Sequence, residues 1–87
     1  MQKLSDTLFL VVETSGKKLR LVITEGQTEL ACRKETAGKL KRFLISTETN
    51  LFKGRLQLHK NNDTIMIILK GEIAGAVAIS EFDNYLP

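Results

Sequence analysis

The stretch "ETAGKLKRFLIS", residues 35–46, decides how this chain divides. Ala37, Leu40, Phe43 and Leu44 recur at helical spacing, and Thr36 stands where an N-cap hydroxyl is wanted. On both sides of the stretch that spacing gives way to strand-forming segments, among them 19–25 with Leu19, Leu21 and Ile23 at every second position. The spacing therefore predicts one helix set between two groups of strands. Gly38 weakens that helix by about 1 kcal/mol relative to alanine, so the helix depends on tertiary packing.

Upstream lie "TLFLVVET" (7–14), "LRLVITE" (19–25) and "TELACRK" (28–34), strand-forming segments broken by Ser-Gly-Lys and by Gly26-Gln27. Glycine in the first turn position suits a type II′ hairpin at Gly26. Downstream, "GRLQLHK" (54–60), "TIMIILK" (64–70) and "IAGAVAI" (73–79) repeat the arrangement, with Gly71-Glu72 as a second glycine-first turn. "SEFDNYLP" (80–87) predicts a second helix, with Ser80 and Asp83 as a capping box and Phe82, Tyr85 and Leu86 on its apolar face. The halves align at an offset of 45 residues, which sets Ile23 on Ile68, Gly26 on Gly71 and Ala31 on Ala76. The expected fold class is α+β, a single domain over 1–87 with a pseudo-repeat over 7–46 and 54–87. Each unit is expected to be three antiparallel strands followed by a helix (βββα-βββα), in a partly curled sheet.

Eighty-seven residues hold one core, and a composition 43% hydrophobic and 26% charged with a single proline is globular. The longest apolar runs, "LFLVV" (8–12) and "IMIIL" (65–69), are too short to span a bilayer, and the N-terminal residues lack the apolar stretch of a signal peptide. A cytoplasmic protein without membrane association is expected. Those same runs are apolar on both faces, as strands covered on both sides are. Two short helices cannot cover both faces of six strands, so the sheet must curl or a second copy must supply cover. A homodimer is expected, with the small residues of "IAGAVAI" or the "IMIIL" strand at the contact.

Catalytic chemistry is sparsely supplied. The chain has no phosphate-binding glycine loop, no Cys-x-x-Cys, no His-x-x-x-His and no G-x-S-x-G. A single cysteine cannot form an internal disulfide, and a single histidine beside it is a poor start for a metal site. Cys32, alternating with Leu30, reads as a small inward side chain of the third strand. No enzyme activity, catalytic residue, metal or cofactor is expected.

Charge says more. The balance is neutral over 1–32, +6 over 33–60 and −3 over 61–87. A concentrated positive region attracts anionic partners. Within "LFKGRLQLHK" (51–60), Lys53, Arg55, Gln57 and His59 are expected on one face of a strand, at a repeat of about 6.6–6.8 Å that is close to nucleotide spacing. Lys53 and Arg55 suit phosphates, while Gln57 and His59 suit bases. Arg20 and Arg33 would widen the patch, and Phe9 would offer a stacking platform. Single-stranded nucleic acid on a basic sheet face is thus the expected ligand. The rival class is a protein-interaction or regulatory adaptor module whose basic middle meets an acidic protein partner.

In element order, tandem sheet-then-helix units are similar to the purine-rich-element-binding and Whirly single-strand binders. In those families each unit is a longer antiparallel sheet followed by a helix, and nucleic acid lies on the sheet. The expected count here is three strands per unit against four, with no shared residue motif. The resemblance is one of topology, and topology does not fix function.

Overall fold

Each segment with period-two alternation becomes a strand, and two further strands form where alternation is too short to read. The computed structural model describes all 87 residues. The chain runs β1 (Gln2–Lys3), β2 (Leu8–Ser15), β3 (Lys18–Glu25), β4 (Thr28–Glu35), α1 (Ala37–Ile45), β5 (Asn50–Leu51), β6 (Leu56–Asn61), β7 (Thr64–Leu69), β8 (Glu72–Ala78) and α2 (Ile79–Asn84). The first four strands make one antiparallel sheet in sequence order, and the last four make another. The expected βββα-βββα units in one partly curled sheet are therefore corrected. The protein is mostly β, with ββββα occurring twice in two separate, unclosed sheets. The added strands are two residues long and only edge a neighbour, Gln2 opposite Leu10 and Asn50 opposite His59. Two residues carry no periodicity.

The sheets share one core. Leu10, Leu19, Leu21 and Ile23 of the first sheet meet Leu56, Leu58, Ile65, Ile67 and Val77 of the second, and Leu40, Phe43, Leu44, Phe82 and Leu86 close it. The inner faces thus cover one another, which answers the shortage of helix surface. Gly75 of β8 makes a close contact within the chain. A Cβ on Gly75 would lie 2.7 Å from Leu4 Cβ and 2.9 Å from the Leu4 carbonyl oxygen, so no larger residue fits without displacing backbone. Tyr85 Oη donates to Gln2 Oε1 at 2.8 Å and ties the same corner.

Helix α1 forms as its pattern requires, with Thr36 Oγ1 accepting from the Lys39 amide at 3.2 Å. At its other end Lys60 Nζ donates to the carbonyls of Phe43 and Ser46 at 2.5 and 2.6 Å, and lies 4.9 Å from the Phe43 ring centroid. A cation there complements the negative end of the helix dipole. Helix α2 differs from expectation. It starts at Ile79, directly after β8, and its N-cap Ala78 makes no side-chain hydrogen bond, so Ser80 caps nothing. The Ile79 amide donates instead to the Asp63 carbonyl at 2.8 Å.

Two corrections concern register. The last hairpin turns at Lys70-Gly71, one residue earlier than expected, with φ of 52° and 83°. Positive φ at both central residues is the type I′ signature. In the first sheet the register shifts between Ile23 and Thr24, leaving Leu30 of β4 without an opposite residue. Beyond such a bulge each side chain changes face. Cys32 consequently sits opposite Val22 on the outward face and is exposed, while Arg33 sits opposite Leu21 and turns inward.

Candidate nucleic-acid interface

Strand β6 begins at Leu56, so Lys53 and Arg55 precede it, and only Gln57 and His59 of the expected four lie on the strand's outward face. The reason is the connection before the strand. Phe52 and Gly54 take φ of 69° and 96°, which breaks the extended run. Gln57 Nε2 donates to the Gly54 carbonyl at 2.9 Å and holds this bend against the strand. The Lys70 amide donates to the Arg55 carbonyl at 2.7 Å, which brings the β7–β8 turn beside Arg55. Lys53, Arg55 and Lys70 are exposed at this end of the sheet. None of the three is paired, since the ion pairs are Lys3–Asp6, Arg20–Glu13, Arg20–Glu29 and Lys39–Glu35.

The outward face beyond these cations is mixed. Gln57 is opposite Ile68, which is opposite Ile73; His59 is opposite Met66, which is opposite Ala76. Ile73 is 63% exposed, and both helices add their buried residues to the core on the other side. His59 Nδ1 bonds Asn50 Oδ1. The contact holds the Nδ1 edge of the ring and leaves Nε2 outside it.

The other expected residues lie elsewhere. Arg20 is on the outward face of the first sheet, where Nη2 donates to both Glu29 oxygens at 2.6 and 2.5 Å and Nη1 donates to Glu13. The bonds from Glu29 and then Glu13 raise its pKa further, so the charge is permanent but already matched. Phe9 is half-buried on that same face, between Lys3 and Thr24 in the ladder. Arg33 lies 5.5 Å from the Phe52 ring centroid. A groove of about 460 Å³ runs between edge strand β4 and the start of β6, and its lining includes Arg20, Arg33, Arg55, Glu29, Cys32 and Leu56.

The structure thus gathers the three arginines at one seam and places Gln57 and His59 on the second sheet. It leaves Phe9 on the first sheet, away from those two. Lys70, Met66, Ile68 and Ile73 are the residues that sequence reasoning missed. Pairing β6 with β7 about the Asn62-Asp63 turn would have set Ile68 against Gln57 and Lys70 beside Arg55. No three His, Cys, Asp or Glu residues are grouped to hold a metal ion, and no helix is long and apolar enough to cross a membrane. No protein-family model, curated protein or solved structure matches the chain.

Proposed function

We propose that this protein is a non-enzymatic binder of single-stranded nucleic acid, using the outward face of the second sheet and the cations at its end. One observation carries the reading: an outward face combining half-buried Gln57, His59, Met66 and Ile68 with exposed Ile73 ends in three unpaired cations. A strand face that only met water would not set Met66 and Ile68 of β7 beside Ile73 of β8. Bases rest on the aliphatic row, with the Gln57 amide and His59 Nε2 at their polar edges, and phosphates meet Lys53, Arg55 and Lys70. Positive φ at Phe52 and Lys70, which costs a non-glycine residue on the order of 1–2 kcal/mol, occurs in the two segments that present these cations. Arg20 takes no part, because its donors are committed to Glu13 and Glu29.

The test is fluorescence polarisation with a short labelled single-stranded oligonucleotide over a salt series. Three neutralised phosphates give a log–log slope near −2, at about −0.7 per contact. Lys53→Ala, Arg55→Ala and Lys70→Asn should each flatten it by about 0.7, whereas Arg20→Ala should leave it unchanged. No binding at low salt, or a slope indifferent to all three changes, would overturn the reading. The exposed Ile73 face would then favour a protein partner.

A further inference from the structure

The widest recess, about 860 Å³, lies at the end of β6 remote from Arg55, between α1 and α2. Lys41 and Ile45 line it from α1, Ile79 and Asp83 from α2, and Asp63 from the β6–β7 turn. We infer that this recess seats a second copy of the chain, in a two-fold dimer that sets α1 of each copy against α2 of the other.

Charge is the first argument. Helix α1 carries Lys39, Lys41 and Arg42 with no acid, while α2 carries Glu81 and Asp83 with no base. Within one copy Lys41 borders the same recess as Asp63 and Asp83 yet pairs with neither. A two-fold axis turns this mismatch into two equivalent contacts, because each copy's Lys41 then meets the other's acidic wall. A basic or acidic partner of a different kind would satisfy only one wall.

Apolar surface and backbone access agree. Ile45 is 87% exposed at the rim, although the helix has a core face available for apolar residues. Gly38, Lys41 and Ile45 follow one another at i, i+3 and i+7 and so share a face. A Cβ at Gly38 would meet only Arg42 Nη1, at 4.0 Å, so the single chain does not require glycine there. Keeping it costs the helix about 1 kcal/mol relative to alanine and leaves its backbone open to close approach. A second copy gives that cost a use.

Sedimentation equilibrium on the full chain tests the inference. The wild type should dimerise at micromolar concentration, and Ile45→Asp should weaken association by more than about tenfold. Ile45 is exposed, so the variant should keep its circular dichroism spectrum. Lys41→Glu and Asp83→Lys should each weaken the dimer several-fold, and the double variant should regain affinity because the pair is rebuilt in reverse. Gly38→Ala should also weaken it, although alanine favours an isolated helix. A wild type monomeric at its highest soluble concentration would overturn the proposal. So would a dimer indifferent to Ile45→Asp, or a double variant no better than the singles.

Discussion

Lys60→Met removes the ammonium that holds the C-terminal end of α1 while keeping a side chain of similar length. Lys60 reaches from β6 to two helix-end carbonyls, those of Phe43 and Ser46, and its stem is half-buried. The Phe43 oxygen would keep Ser46 Oγ as a donor at 3.1 Å, but the Ser46 oxygen would have no protein donor. A hydrogen bond from a charged donor contributes about 1.5–3 kcal/mol, and the ammonium over the Phe43 ring adds about 0.5–1 kcal/mol. The methionine recovers a part of this through burial, leaving a net loss of about 2–3 kcal/mol. In a domain of this size each kcal/mol moves Tm by about 4–8 °C, so a fall of about 10–20 °C is expected. Urea unfolding followed by circular dichroism should show a lower midpoint with an unchanged m-value. Lys60→Arg, which keeps the charge and the donors, should lose less than half as much. A loss below about 0.5 kcal/mol for Lys60→Met would make Lys60 an ordinary solvated side chain with no hold on the helix end. The variant should leave the salt slope of oligonucleotide binding in place, which separates Lys60 from Arg55.

Two further outcomes follow from the register and the corner contact. Cys32, exposed on the outward side of β4, should react with a thiol reagent in the native protein at a rate close to that in denaturant; strong native protection would return it to the inner face. Gly75→Ala should destabilise by about 1–3 kcal/mol in chemical denaturation, because the added methyl meets Leu4 backbone as well as side chain. A neutral result would mean that the N-terminal segment is not seated under β8.

The hairpins and α1 are legible because β-branched and apolar runs bounded by turn residues mark the strands, and helical spacing marks 37–44. The turn at Gly26 and the Thr36 cap could be read from single residues. Register could not. Whether Leu30 is paired or bulged depends on which alternative buries more side chain across the sheet, and that information sits on β3 and in the opposing sheet. One unpaired residue moved Cys32 outward and Arg33 inward, where the guanidinium lies over Phe52 and beside Gly54 instead of on the outward face. The strands β1 and β5 were invisible for a different reason, since two residues gain their conformation from the edge they pair with. Of the expected strand face, Gln57 and His59 lie on β6, whereas positive φ at Phe52 and Gly54 keeps Lys53 and Arg55 off the strand. Lys70 and the aliphatic row needed the β6–β7 and β7–β8 ladders before they could be seen beside them.

The corner where Leu4 lies under Gly75, and where Tyr85 reaches back to Gln2, also bears on how the protein is made. During translation the first sheet emerges with Leu10, Leu21 and Ile23 bare, because the residues that join them in the core belong to α1, the second sheet and α2. Neither the lid of that core nor the seat for Leu4 exists until β8 has left the ribosome, and the Tyr85–Gln2 bond spans 83 positions. Contacts of such long range slow folding toward the millisecond-to-second regime and tie the two sheets into one cooperative event. A ribosome paused before β8 should therefore hold a nascent chain that is open to proteases and chaperones along its whole exposed length. Release of β8, α2 and Tyr85 should convert it, in a single step, into the closed form.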